Sequence, residues 1–223
     1  MTGATFTEAQ TMRHFRHLDR TTLDRLFFQV PQPFGDGDDR DRLAVALGAT
    51  LYVPATRGDL TATILRRAGE GVTSMVLDLE DAVADDEVEQ GLCNAVATLD
   101  ELAAQGDAPM LLFVRVRTAD GIDRIAAALG EGVRVLTGFV LPKFTSDSGR
   151  EFLAAVTRAS EQLRKHLYAM PVIESTSVVH RETRDEELRA ISQLLAEYRP
   201  RCWPCGSARP TCARPSASDA TAT

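Results

Sequence analysis

The chain has 223 residues, of which 44% are hydrophobic and 26% charged, with a formal net charge of −7. That length suffices for one domain with a full core, and the acidic balance argues against nucleic-acid or anionic-membrane partners. No apolar run approaches the ~20 residues of a membrane span.

The first stretch, MTGATFTEAQTMRHFRHLDR, lacks the apolar centre of a signal peptide. A cytoplasmic location with reduced thiols is therefore expected. Residues 1–48 read as a polar, charge-rich N-terminal extension with one apolar patch, Leu23 to Val30. His14 and His17 have helical spacing but no neighbouring ligand, so solvated surface is the expectation. The run from Gly35 to Arg42, GDGDDRDR, reads as a solvated turn, because its aspartates lack calcium-loop spacing.

From Ala49 onward, apolar β-branched runs alternate with amphipathic stretches. TLYVPA, TSMVLDL, MLLFVRV, VLTGFVLPK and LYAMPVIES read as strands. DLTATILRRAGE, EVEQGLCNAVATLDELAAQ, ADGIDRIAAALGE, SGREFLAAVTRASEQLRKH and DEELRAISQLLAEYR read as the helices that follow them. The strands are nearly continuous apolar runs, as parallel strands covered on both faces should be. Strand ends are expected at Pro54, Asp78, Arg115, Leu141 and Glu174, spaced by 24, 37, 26 and 33 residues. An eightfold βα barrel averages ~30 residues per unit. A doubly wound sheet alternates in the same way, so periodicity alone does not separate the two. Polar placement favours the barrel. Asp78, Glu80, Asp81, Arg115, Lys143 and Glu174 all fall at or just beyond strand C-termini, where barrels build active sites. The loop VPATRGD also lacks the GxGxxG of a dinucleotide turn.

LYVPATRGD, VLDLEDAV, FVRVR, GFVLPK and MPVIES occur in that order. Together they resemble the citrate lyase β-subunit and HpcH/HpaI aldolase superfamily of TIM-barrel C–C bond lyases, over roughly residues 49–197 of a domain expected at 49–200. The N-terminal segment is similar to a CitE-like branch found with tellurite-resistance and stress operons. The resemblance implies a partial (β/α)8 barrel with five βα units and an unclosed sheet.

It also implies roles. Glu174 matches the family's Mg²⁺-binding Glu, and a hard cation wants such carboxylate oxygens. Glu80 and Asp81 match carboxylates near that metal. Arg115 matches an Arg that grips an oxo-acid, as a planar guanidinium suits, and Lys143 matches the Lys of LPK, a candidate substrate contact; these two are the catalytic candidates. Arg57 matches a substrate contact of the first loop, with Gly58 in place of the usual Pro. Arg117 stands where the family has Asn. Each has a blander reading: Glu174 as a helix cap or the partner of an arginine, Arg115 and Lys143 as partners of the acidic residues, Arg57 as a solvated loop arginine, the acidic trio as a capping and salt-bridge cluster. His180 is a weak proton-transfer candidate.

The expected sixth strand, with its second metal-binding Asp, does not follow. Residues 201–223 contain no Leu, Ile, Val, Phe or Met, so no core element can be built from them. A reading shifted by one base permits VLAVRIGATDLCAAFGIRRD from Arg201 onward, which is the missing motif. Cys202, Cys205 and Cys212 are then by-products of a frameshift, with a CxxC redox or zinc motif as the rival. The expected activity is Mg²⁺-dependent lyase or aldolase chemistry on a small oxo-acid or its CoA thioester, impaired by truncation. The alternatives are a non-catalytic fragment or stress-system binding module, and a thiol or zinc protein. Substrate, CoA dependence and oligomeric state, homo-oligomer included, stay open at this level.

Overall fold

The computed structural model describes residues 12–106 and 108–198. Five strands are present: β1 (Leu51–Pro54), β2 (Ser74–Asp78), β3 (Leu111–Arg115), β4 (Leu136–Leu141) and β5 (Tyr168–Pro171). All four pairings are parallel, and the spatial order is the chain order. That order separates the two architectures. A doubly wound sheet reverses at a switch point and so places its first strand inside the sheet. Here every strand adds to the same edge, which makes the sheet an arc of a barrel, unclosed between β1 and β5 among the described residues.

The helices α3 (Leu60–Gly69), α4 (Val88–Gln105), α5 (Ala119–Ala128), α6 (Ser146–Gln162) and α8 (Arg181–Glu197) follow the five strands as expected. Three short helices escape the periodicity: α1 (Arg20–Leu26), α2 (Arg40–Ala46) and α7 (Thr176–Val179). Each is two turns or less, too short for a 3.6-residue repeat to show. The first two are started by Asp19 and Asp39, whose carboxylates accept from the amides of Thr22 and Arg42. The GDGDDRDR run is thus a turn only as far as Asp39, and the rest is helix.

Strand alternation divides the side chains into two sets. Met75, Leu77, Leu112, Val114, Phe139 and Leu141 face the helices and form the larger core with Ile64, Leu99, Ile125, Val156 and Leu194. Val76, Leu111, Phe113, Val140 and Tyr168 face the barrel interior. The N-terminal segment covers this second set with Met12, Phe34, Leu43 and Ala46. It sits at the strand N-termini: the hydroxyls of Thr73 and Ser74 donate to the Leu47 carbonyl, and Lys165 Nζ lies 2.7 Å from Asp36. His14 is half-buried there rather than solvated. Gly48 (φ 64°) lies so close that a Cβ would come within 3.0 Å of the His14 ring. His17 is exposed as expected.

The last strand ends earlier than the sequence pattern implies. β5 stops at Pro171, leaving Glu174 in the following loop. Its neighbour β4 ends at Leu141, and the chain then turns at Lys143 with φ 47°, so β4 offers no partner to Ile173 and Glu174. Among the described residues, no helix is long and apolar enough to cross a membrane. The stretch 201–223, with its three cysteines, lies outside the described residues.

Candidate functional site

Asp78 and Arg115 are the last residues of β2 and β3 and face each other in register. Both point into the barrel interior, and their side chains are 5% and 8% exposed. The Arg115 guanidinium is the hub of the site. Its Nη1 lies 3.5 Å from Asp78, and its Nη2 lies 2.6 Å from Glu80, 2.9 Å from Asp81 and 3.3 Å from Glu174. Lys143 closes the cluster from the turn after β4, with Nζ 2.6 Å from Glu80 and 3.5 Å from Asp81. Its backbone amide donates to Glu174 at 3.2 Å.

Local structure aims these groups. Asp78 Oδ1 accepts from the Glu80 amide at 2.9 Å, which turns the chain sharply after β2. Alternation sends Leu79 into the outer core while Glu80 returns to the interior side. Lys143 sits in the left-handed region, uncommon for a residue with a side chain. That turn directs its amide toward Glu174 and its ammonium toward Glu80 and Asp81.

Four carboxylates meet two cations here, an excess of two negative groups. The hydrogen bond shared with Glu80, followed by that from Arg115, holds the Asp81 carboxyl below the usual range. Burial works against the charge of Arg115, yet Asp81, Asp78 and Glu80 raise its affinity for its proton above the ordinary value. The hydrogen bond to Glu80 does the same for Lys143. Glu80 Oε2, though close to Arg115, is a buried oxygen without a hydrogen bond, and Arg115 Nε is its unsatisfied counterpart.

A cluster in which four carboxylates meet two cations suits a hard divalent cation. Among the described residues, no three His, Cys, Asp or Glu side chains form a ready cage for a metal. Mg²⁺ does not require one, because it usually takes one or two protein carboxylates and completes its shell with water and substrate. Glu174, Glu80 and Asp81 offer carboxylate oxygens of the kind such an ion takes, and in this structure they are gathered around Arg115.

The structure thus brings together Arg115, Lys143, Glu174, Glu80 and Asp81. It does not bring in Arg57, whose guanidinium is held by Asp59 of its own loop at 2.7 and 2.9 Å. Arg57 lines a groove of about 470 Å³ between α3 and α4, on the helical side of the sheet. His180 is exposed at the start of α8. Two residues gain parts that sequence reasoning did not give them. Tyr52, on the interior face of β1, lies with its ring centroid 6.0 Å from the Arg115 guanidinium carbon, and burial pushes its phenol up. Its period-2 position with Pro54 was the available signal. Arg117 turns away from the carboxylate cluster and donates to the carbonyls of Leu79, Glu80 and Val83.

A family model described as C–C bond lyase of the TIM-barrel fold matches residues 41–203. Among solved structures, the chain is similar to the lead(II) complex of Haloferax volcanii malate synthase. They are 22% identical, with a TM-score of 0.48, over 66% of this chain and 45% of that one. It is also similar to the M. tuberculosis citrate lyase beta subunit complexed with oxaloacetate and magnesium. That pair is 20% identical, with a TM-score of 0.38, over 60% of this chain and 51% of that one. The chain thus spans about half the length of these solved structures. No curated protein matches it. A parallel arc in chain order, charged residues gathered at its C-terminal edge, and a match over most of the sequence lead to one conclusion: the chain belongs to the C–C bond lyase family of the TIM-barrel fold.

Proposed function

We propose that this chain carries the site of a Mg²⁺-dependent carbon–carbon bond lyase or aldolase acting on a small oxo-acid or its CoA thioester. The observation that carries the reading is the convergence of Arg115 and Lys143 with Glu80, Asp81 and Glu174 at the strand C-termini. Glu174, Glu80 and Asp81 would hold the ion. When bound, it supplies a Lewis acid that polarises a carbonyl oxygen.

The chain's own residues do the rest. Arg115 offers a fixed fork of donors that suits a substrate carboxylate, and it is already placed at the interior edge. Lys143 holds Glu80 and Asp81 on one side and fixes Glu174 through its amide, so one turn orients both carboxylate groups. The Tyr52 ring forms an apolar wall beside Arg115.

Calorimetric titration with Mg²⁺, together with an assay for cleavage of oxo-acids, tests this reading. Weak binding that falls about tenfold in Glu174→Gln supports it. A chain that binds no divalent cation and cleaves no oxo-acid ends it. Bound zinc or a reactive thiol in the purified protein would favour the CxxC reading instead.

We also propose that residues 201–223 are encoded out of the family's frame. Two observations support this: the stretch has no Leu, Ile, Val, Phe or Met, and the family match stops at residue 203. On this reading residues 201–223 do not spell the sixth-strand motif that carries the family's second metal-binding Asp. The nucleotide sequence around codon 201 decides it, since codons that cannot spell a GATDL-like strand remove the proposal.

A further inference from the structure

The segment between β2 and α4 carries both Glu80 and Asp81, and it is held from behind. Arg117 Nε donates to the Leu79 carbonyl at 2.9 Å. Its Nη2 donates to the Glu80 carbonyl at 3.2 Å and also to that of Val83, and its Nη1 pairs with Asp85. Three carbonyl dipoles of one short segment therefore converge on a single guanidinium. Converging carbonyls repel one another unless a cation sits among them, and a planar fork of five donors meets several directions at once. The Asp85 side chain is 96% exposed, so that pair is screened by water and contributes little. The weight falls on the backbone contacts.

Arg115 and Arg117 divide the work along one strand end. Arg115 meets the carboxylates of the segment, and Arg117 meets its backbone. Leu79 is tied from two sides, because its amide donates to the Arg115 carbonyl at 2.9 Å while its own carbonyl accepts from Arg117. The Val83 amide closes the turn onto the Glu80 carbonyl at 3.2 Å.

We infer that Arg117 is a positioning residue: it holds residues 79–85 in the shape that presents Glu80 and Asp81 to the site, and so sets the site's affinity for a divalent cation. The consequence for affinity rests on the functional reading above, whereas the claim about segment shape does not. Two readouts on the full chain keep them apart. One is amide hydrogen exchange in residues 79–88 against that in β2, β3 and β4. The other is Mn²⁺ binding followed by electron paramagnetic resonance.

In Arg117→Ala, exchange in 79–88 should rise about tenfold while the strands keep their protection. Mn²⁺ affinity should fall by about 10- to 100-fold, the usual effect of removing a group that orients a metal ligand. Millimolar guanidinium should restore part of both. Arg117→Lys keeps the charge without the planar fork and should recover little; should the alanine variant fail to fold, the lysine variant decides by the same readouts. Asp85→Asn should stay within about twofold of the parent in both. Unchanged exchange in Arg117→Ala, or Asp85→Asn matching it, overturns the inference. If the parent chain binds no Mn²⁺, the cation reading fails, and exchange in 79–88 alone decides the positioning role.

Discussion

The two faces of the sheet are built on opposite terms. On the helical side, Met75, Leu77, Leu112, Val114, Phe139 and Leu141 are sealed from water, and helices from successive units cover them without a break. On the interior side, the N-terminal half is apolar and covered by Met12, Phe34 and Leu43, whereas the C-terminal edge carries four carboxylates, Arg115 and Lys143. Two of its buried polar atoms lack hydrogen bonds. The strands are the same; only the alternating residue differs. Apolar burial on the outer face supplies folding free energy, and the inner edge gives some of it up to hold charges where a ligand can meet them.

The largest effect should come from opening the outer face. Phe139→Ala removes a wholly buried ring and should cost about 3–5 kcal/mol in urea unfolding. A cost under about 1 kcal/mol would mean that the outer face relaxes around the loss and is not the stronger half.

The inner edge should respond differently. Arg115→Met takes the cation from Asp78 and leaves Glu80 with Lys143 alone. The cost should be about 3 kcal/mol, at the low end for a broken buried pair because the cluster is open to water on one side. Adding Glu80→Gln to that variant should recover part of the loss, and a double variant that is simply additive would show that the cluster is not one network. Leu43→Ala tests the cover on the interior foot of the strands, where about 2–3 kcal/mol is expected.

Two smaller measurements sharpen the contrast. Arg57→Ala should leave the unfolding midpoint unmoved, since its pair with Asp59 is exposed. If the variant keeps its stability but loses substrate binding, Arg57 belongs to the site after all. In absorbance titration, Tyr52 and Tyr168 should ionise above the ordinary tyrosine value, because burial disfavours the phenolate in both. The unfolded chain then releases these protons first. Stability is therefore fully present below about pH 10 and declines as pH rises from there through the folded values. Both titrating at the ordinary value would mean that the interior face is wetter than its packing implies.

Much of this was legible in the linear chain. The five strands and the helices after them showed because each is long enough for its period to emerge. VLDLEDAV and FVRVR placed Asp78, Glu80, Asp81 and Arg115 at strand ends, and the structure gathers them there. The short helices α1, α2 and α7 were not legible, because one or two turns carry no repeat. Glu174 looked like the end of a strand, since MPVIES is extended and apolar up to that residue. Whether an extended residue is in a strand depends on a neighbour to pair with, and β4 had already turned away.

The sequence by itself determined the five strands and the five longer helices that follow them, and it placed the charges at one end of the strands. Both follow from local periodicity and from where polar residues interrupt it. Only the tertiary structure decided the strand order that makes the sheet a barrel arc, the cover that Met12, Phe34 and Leu43 provide, and the different duties of Arg57, Arg115 and Arg117. Three arginines near strand ends look alike in a string of letters. Their roles diverge because a guanidinium takes the acceptors that the fold sets in front of it: a loop aspartate, a cluster of carboxylates, or the carbonyls of a turn.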